Sequence, residues 1–155
     1  MKKNRNEGEL FASDARRPSS AEPLAQRLGL PIQLSDRLLE VDFGDWTGKQ
    51  IAELDRLGDW KQWNMWRSIG RIPNGESMFE VQARVVDEIE GLRRRFPDQK
   101  LALFSHGDPI RAAITYYLGM PLDMLLRLEI SSASVTTFVV DDWIVRFHGI
   151  NVTLA

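Results

Sequence analysis

The residues best suited to chemistry lie in the segment LALFSHGDPIRAA, residues 101–113. Its apolar run predicts a buried strand, and Asp108 and Pro109 predict the N-cap and the first position of a helix directly after it. This arrangement puts His106 and Gly107 at the carboxyl end of a strand and at a helix N-terminus, where α/β proteins bind anions. An imidazole there can donate a hydrogen bond to a phosphate oxygen. The alternative is a solvated turn in which the glycine serves only the geometry.

Two adjacent arginines, Arg16 and Arg17, follow another short apolar run and precede a predicted helix. The planar guanidinium group is suited to bidentate phosphate binding, so this segment is a second candidate for an anion site. On the sequence alone, a solvated surface loop is the commoner explanation of such a pair.

Carboxyl groups are the third candidate, in the turn-rich segment LLEVDFGDWTG, residues 38–48. A partly desolvated carboxyl group has a raised pKa and can act as a general acid. The alternative is a turn whose acids face water. In the later turn PNGES, Glu76 and Ser77 are interpreted as residues of a helix start with no further role. The acidic residues of the segment LLEVDFGDWTG are Glu40, Asp42 and Asp45.

Strands and helices alternate along the chain, which predicts an α/β layer fold. The turn at Asp141-Asp142 joins the last two strands as a hairpin, and Trp60, Trp63 and Trp66 indicate a short helix with an aromatic face. His148, on the last strand, is interpreted as structural. The predicted strands cover residues 10–12, 30–34, 100–105, 134–140 and 143–148. The first predicted helix covers residues 20–28 and is capped by Ser19 or Ser20, and the second is capped by Thr47 and ended by Gly58. The later predicted helices run from Ser77 to Phe96, with Val81, Val85, Ile89 and Leu92 facing inward, from Asp108 to Gly119, and from Pro121 to Leu128.

Composition excludes several classes of function. Twenty Lys and Arg against 22 Asp and Glu give a net charge of −2, so no field of one sign attracts nucleic acid or an anionic membrane. The 155 residues contain no cysteine, which excludes disulfides, thiolate nucleophiles and Cys-ligated metals. The apolar runs are far shorter than the roughly 20 residues that span a bilayer, and no secretory signal is recognised. We expect a cytoplasmic protein with a disordered leader over residues 1–9 and one domain over residues 10–155.

Taken in order, these segments resemble the histidine phosphatase superfamily, also called phosphoglycerate mutase-like, and most of all its bacterial phosphatase branch. The resemblance covers about residues 10–154. It implies a three-layer α/β/α sandwich. The matching pieces are SDARRPSSAEPLAQRLGLP, DRLLEVDFGDWTG, PNGES with its long helix, FSHGDPIRAAI with LGMPLD, and SASVTTFVV.

The resemblance also implies roles for individual residues. His106 matches the second active-site histidine, which binds the phosphoryl group together with the backbone at Gly107. Arg16, with Arg17 as the alternative, matches the arginine that binds the phosphate. Glu40 matches the general acid that protonates the leaving oxygen. Such enzymes act on small phosphorylated substrates through a phosphohistidine intermediate and need no metal or other cofactor.

The sequence departs from the family pattern at the nucleophile. The family carries it in an Arg-His-Gly motif on its first strand, whereas this chain has only His106 and His148 and twelve residues before Ser13. We therefore expect a sheet that lacks the family's first strand and first helix, with an exposed strand edge through which a homo-oligomer forms. Three hypotheses follow: a truncated form of an active phosphatase, a pseudo-enzyme that binds phosphorylated ligands or a protein partner, and a phosphoglycerate mutase.

Overall fold

A computed structural model describes residues 8–13 and 20–153, and places three of the strands in one parallel sheet. These are β1 (Glu9–Ala12), β2 (Ile32–Leu34) and β3 (Leu101–Phe104), in the spatial order β2-β1-β3. The central strand β1 is the most buried of the three. Parallel neighbouring strands need crossover connections, and both connections in this sheet contain helices.

The last two strands form a separate antiparallel hairpin, as predicted. These are β4 (Val135–Val140) and β5 (Val145–Val152). The Asp141 carboxylate closes the turn by accepting the backbone N–H groups of Trp143 and Ile144 at 2.8 Å each.

The helices follow the predicted alternation. Gly29 and Gly119 end two of them in the left-handed conformation, each at φ 66°, which glycine adopts without steric cost. The α-helices are α1 (Glu22–Leu28), α2 (Ile51–Leu54), α3 (Gly58–Met65), α4 (Met78–Arg95) and α5 (Gly107–Leu118), and short 3-10 helices cover Asp36–Leu38, Gly44–Trp46 and Leu122–Arg127.

The main core lies between α4, α5 and an aromatic group around α3. The predicted stripe of α4 is confirmed, since Val81, Val85, Ile89 and Leu92 are all buried. Trp63 is buried and has ring contacts with Trp46, Trp60 and Phe43. Of the three tryptophans predicted on one helix, Trp66 instead follows the end of α3 and is half exposed.

Three predicted helix starts are wrong. The N-cap of α1 is Ala21, while Ser20 lies one residue earlier and Ser19 is outside the described residues. The N-cap of α2 is Gln50 instead of Thr47, and Gly58 opens α3 instead of ending α2. The N-cap of α5 is His106, whose backbone is still extended after β3 has ended at Phe104, so Asp108 lies inside the first turn.

Two further predictions concern the ends of the chain and the membrane. Residues 1–7 of the predicted leader lie outside the described residues, and Glu9 already belongs to β1. Among residues 8–13 and 20–153, no helix has the length and apolar character required to cross a bilayer.

Candidate active site

His106 lies where the ends of two parallel strands meet. It lies two residues after the end of β3, caps α5 and is exposed to solvent. Ser13 directly follows β1, and its Oγ lies 3.1 Å from His106 Nε2. Because Ala12 and Phe104 are partners in the sheet register, these two polar side chains meet at the carboxyl edge, where α/β sheets bind ligands.

The N-terminus of α5 adds an anion-binding feature to this edge. The helix has 12 residues and begins at Gly107, so its first N–H groups point outward from the end at His106. A Cβ atom at Gly107 would come within 2.9 Å of Arg111 Nη1, which shows how closely this guanidinium approaches the helix start. The predicted location of His106 and Gly107 at a strand end and a helix start therefore agrees with the structure.

Glu40 lies in the loop after the 3-10 helix Asp36–Leu38 and is half-buried. Burial raises the pKa of its carboxyl group above the ordinary value, and the charge of Asp108 raises it further. Opposing these effects, a hydrogen bond from Val41 N–H at 3.0 Å and the charges of His106 and Arg84 lower the pKa. The net shift is upward, which is the direction that a general acid requires. These interactions also place Glu40 within electrostatic range of the His106 end of α5.

Glu76 and Arg84 hold the Glu40 loop in place. Arg84 donates from Nε and Nη2 to the two Glu76 carboxylate oxygens at 2.7 and 2.9 Å. The same guanidinium donates to the backbone carbonyls of Arg37, Leu39 and Glu40 at 2.9, 2.8 and 3.1 Å. The interpretation of Glu76 as an ordinary helix-start residue is therefore wrong, because this carboxylate anchors the arginine that fixes the loop.

Two glycines let the PNGES turn lie against this loop. A Cβ atom at Gly44 would lie 2.3 Å from the Pro73 carbonyl oxygen, and one at Gly75 would lie 2.3 Å from the Asp42 carbonyl oxygen. Such distances are far below van der Waals contact, so only glycine permits this backbone approach.

The other sequence candidates have structural contacts or lie elsewhere. The Asp42 carboxylate accepts Gly44 N–H at 2.9 Å, and Asp45 accepts from the Asn74 side chain at 3.1 Å. His148 lies exposed on β5. Arg16 and Arg17 lie outside the described residues, so their role stays a prediction.

The sequence profile of the histidine phosphatase superfamily (branch 1) matches residues 3–153. The chain belongs to this superfamily. It is 28% identical over 150 residues to a probable phosphoglycerate mutase, GpmB, of Shigella boydii serotype 18, across 90% of this chain and 70% of that protein. It is 26% identical over 121 residues to phosphoserine phosphatase 1 of Hydrogenobacter thermophilus, across 77% of this chain and 57% of that protein.

Solved structures share the fold. Bacillus stearothermophilus YhfR superposes with a TM-score of 0.82 at 21% identity, over 95% of this chain and 74% of that one. A mycobacterial glucosyl-3-phosphoglycerate phosphatase, solved with inorganic phosphate, superposes with a TM-score of 0.76 at 28% identity, over 94% and 77% of the two chains. The predicted α/β fold of the phosphoglycerate mutase type is confirmed.

Proposed function

We propose that the carboxyl edge of β1 and β3 binds the phosphoryl group of a small phosphate monoester. The observation that carries the proposal is the meeting of Ser13 and His106 at the N-terminus of α5, with Glu40 in electrostatic range. His106 and the first N–H groups of α5 bind the anionic oxygens, and Arg16 supplies a further cation. The names of the relatives, which include a phosphoserine phosphatase and a probable phosphoglycerate mutase, support a small phosphorylated substrate.

In this proposal Glu40 is the general acid of phosphomonoester hydrolysis. Its raised pKa keeps a larger fraction protonated near neutral pH than an ordinary glutamate has, and the proton goes to the leaving oxygen as the ester bond breaks. Helix N–H groups and the imidazole stabilise the charge on the phosphoryl oxygens. The function by descent is therefore a phosphatase.

We further propose that the 155-residue chain alone has no phosphohistidine-based activity. The nucleophile must be an imidazole in line with phosphorus, and the chain has only His106 and His148. His106 is assigned to flank the phosphoryl group, and His148 is on the hairpin strand β5. We expect an anion site with affinity near the millimolar range, about −4 kcal/mol.

Two measurements test this function. Phosphate binding is followed through the backbone amide signals of Gly107 and Asp108 in NMR titrations with inorganic phosphate, with His106→Ala as the variant. We expect saturable shifts that the substitution weakens. Hydrolysis of p-nitrophenyl phosphate is measured in parallel. Turnover that His106→Ala abolishes would contradict the proposed inactivity and would make His106 the nucleophile, whereas absent phosphate shifts would overturn the binding site itself.

The mutase and pseudo-enzyme hypotheses differ from a phosphatase in what they do with a bound phosphate. The match to a probable phosphoglycerate mutase favours testing phosphoryl transfer between phosphoglycerate isomers. A pseudo-enzyme binds phosphorylated ligands and catalyses neither reaction. Binding together with absent hydrolysis and absent transfer therefore selects the pseudo-enzyme.

We also propose that copies of the chain associate through a strand edge. Within residues 8–13 and 20–153, β3 pairs only with β1, and β4 pairs only with β5. Unpaired edges of this kind invite pairing with another chain. The cytoplasmic location and the metal-independent chemistry stay predictions.

A further inference from the structure

Asp108 presents an electrostatic problem for an anion site. It is the second residue of α5, so its carboxylate lies beside the helix N-terminus that the proposed phosphate would use. A carboxylate in this position competes with an anionic ligand for the helix dipole and repels it. The same negative charge also raises the pKa of Glu40.

Two guanidinium groups hold the Asp108 carboxylate, one from 41 residues earlier in the chain and one from the next turn of α5. Arg67 Nη1 donates to Oδ2 at 3.2 Å, and Arg111 Nη1 donates to Oδ1 at 3.0 Å. Arg111 also donates from Nε to the Leu128 carbonyl at 2.8 Å, so its orientation is fixed. One negative charge between two positive ones leaves a net positive group beside the helix start.

Arg67 is buried, and its surroundings direct it to Asp108. Only 4% of its side chain is exposed. Its guanidinium carbon lies 3.3 Å from the ring centroid of Trp63, and Nη2 donates to the Asn64 side chain at 3.1 Å. Stacking on a buried indole restricts how far the guanidinium can move.

The turn that carries Arg67 is anchored on its other side. Ser68 donates from its backbone N–H and its hydroxyl to the two carboxylate oxygens of Asp123, each at 2.8 Å. Gly70 packs so closely that a Cβ atom would lie 2.7 Å from the Trp63 Cα. The position of Arg67 is therefore fixed by the backbone of its own turn as well as by the Trp63 ring against which it stacks.

This arrangement is kept at a cost in stability. Arg67 Nε is buried and has no hydrogen-bond partner among the described residues, and an unsatisfied buried donor destabilises the folded state. Burial also lowers the pKa of Arg67, while Asp108 raises it. Departures from local consistency of this kind are expected at functional sites.

We propose that Arg67 is a positioning residue of the anion site, which fixes the Asp108 carboxylate and cancels its charge so that the N-terminus of α5 can accept phosphate. The inference rests on the proposed phosphate site. Arg67 acts through Asp108 and does not contact the ligand. Its role is therefore tested by removing both charges, not one.

The experiment measures inorganic phosphate affinity by NMR titration of the full chain in four variants. Arg67→Met weakens binding by about five- to tenfold, because Asp108 is left with less compensation. Adding Asp108→Asn to Arg67→Met restores the affinity to within about twofold of the original chain. Arg67→Lys keeps the charge but loses the planar fork, and gives an intermediate affinity. The matched control is Arg93→Met, which removes one cation that pairs with Glu90 and Asp142, and it leaves the affinity unchanged.

Two results would overturn the proposal. One is a folded Arg67→Met variant that binds phosphate as well as the original chain. The other is a double variant that binds as weakly as the single one, which would mean that Arg67 contributes directly. If Arg67→Met fails to fold, Arg67→Lys takes its place as the single variant, and a folded Arg67→Lys chain that binds phosphate as well as the original chain overturns the proposal.

A second readout separates this proposal from the proposed function. The titration of the Glu40 carboxyl carbon is followed in the same variants without phosphate. Asp108, His106, Arg84 and Arg67 are the charged groups that interact with Glu40. The titration midpoint rises in Arg67→Met and falls back in the double variant. A chain that binds no phosphate overturns the site, whereas an unmoved Glu40 midpoint overturns the role of Arg67.

Discussion

Glu40 and Glu76 lie close together but have different surroundings. Glu76 accepts two hydrogen bonds from Arg84 and one from the backbone N–H of Asp42 at 2.9 Å. Glu40 accepts the Val41 N–H at 3.0 Å, and burial raises its pKa. One glutamate therefore holds the loop, and the other has the raised pKa that the proposed general acid requires.

The raised pKa of Glu40 makes the stability of the chain depend on pH. A carboxyl group with a raised folded-state pKa contributes stability that is fully present below its ordinary value of about 4.5 and is lost as pH rises through the folded-state value. Glutamine keeps the oxygen that accepts Val41 N–H and has no charge to bury. We therefore expect Glu40→Gln to unfold at higher denaturant concentration than the original chain at pH 7, and to lose this advantage near pH 4.

Urea unfolding at both pH values measures this difference, with Glu129→Gln at an exposed position as the control. The difference in stability between the control and the original chain should be the same at both pH values. A Glu40→Gln advantage that is independent of pH would contradict the assigned shift.

The long helix α4 begins with a reciprocal cap that the sequence signals directly. Ser77 Oγ accepts Glu80 N–H at 3.3 Å, and the Glu80 carboxylate accepts Ser77 N–H at 2.7 Å. We expect Ser77→Ala to lower the free energy of unfolding by about 1 kcal/mol. Ser20→Ala is the matched control, because Ser20 precedes the actual N-cap of α1, and it should change stability by less than about 0.5 kcal/mol. Equal losses at the two serines, measured by urea unfolding, would contradict the assigned helix starts.

The contact between the PNGES turn and the Glu40 loop depends on the absence of side chains. Gly75→Ala puts a methyl group against the Asp42 carbonyl, where the ideal Cβ lies 2.3 Å away. We expect a loss of about 2–3 kcal/mol in stability, as in overpacked cores. Gly91→Ala is the control, because Gly91 lies within α4 with open space around its Cβ position, and it should stabilise the chain by about 0.5–1 kcal/mol.

Thermal unfolding of the two alanine variants measures the contrast. A Gly75→Ala chain as stable as the original would mean that the two loops separate freely and do not position Glu40.

Local patterns predict most of the elements, whereas contacts between distant segments are not visible in them. The stripe of α4, the hairpin at Asp141 and the helix end at Gly119 are visible because each needs only neighbouring residues. Three helix starts are predicted wrongly because their actual N-caps, Ala21, Gln50 and His106, are not among the strongly preferred capping residues. Arg67 and Asp108 are 41 residues apart, and no periodicity in the sequence connects them.

In the part of the chain that the structure describes, both sheets contact the main buried cluster. Leu103 of β3 and Phe138 of β4 both pack against the buried cluster that includes Val81, Val85 and Trp63. The two strands nevertheless belong to separate sheets. All four residues of β3 are only partly buried, although the strand is apolar throughout. The described part of the chain therefore leaves an apolar strand edge beside its main core.

The unpaired edges of β3 and β4 predict self-association that depends on concentration. Light scattering coupled to size-exclusion chromatography should give an average mass that increases with protein concentration, because unpaired strands form hydrogen bonds with a second copy. Val139→Glu should reduce the association, since Val139 is 47% exposed on β4 and the new carboxylate faces Arg146 across the hairpin. Ile51→Glu is the matched control, because Ile51 is an exposed apolar residue at the start of α2, where a negative charge is favourable. A monodisperse monomer with cooperative unfolding at every concentration would contradict the prediction. Equal effects of the two substitutions would mean that exposed apolar surface, and not the strand edge, causes the association.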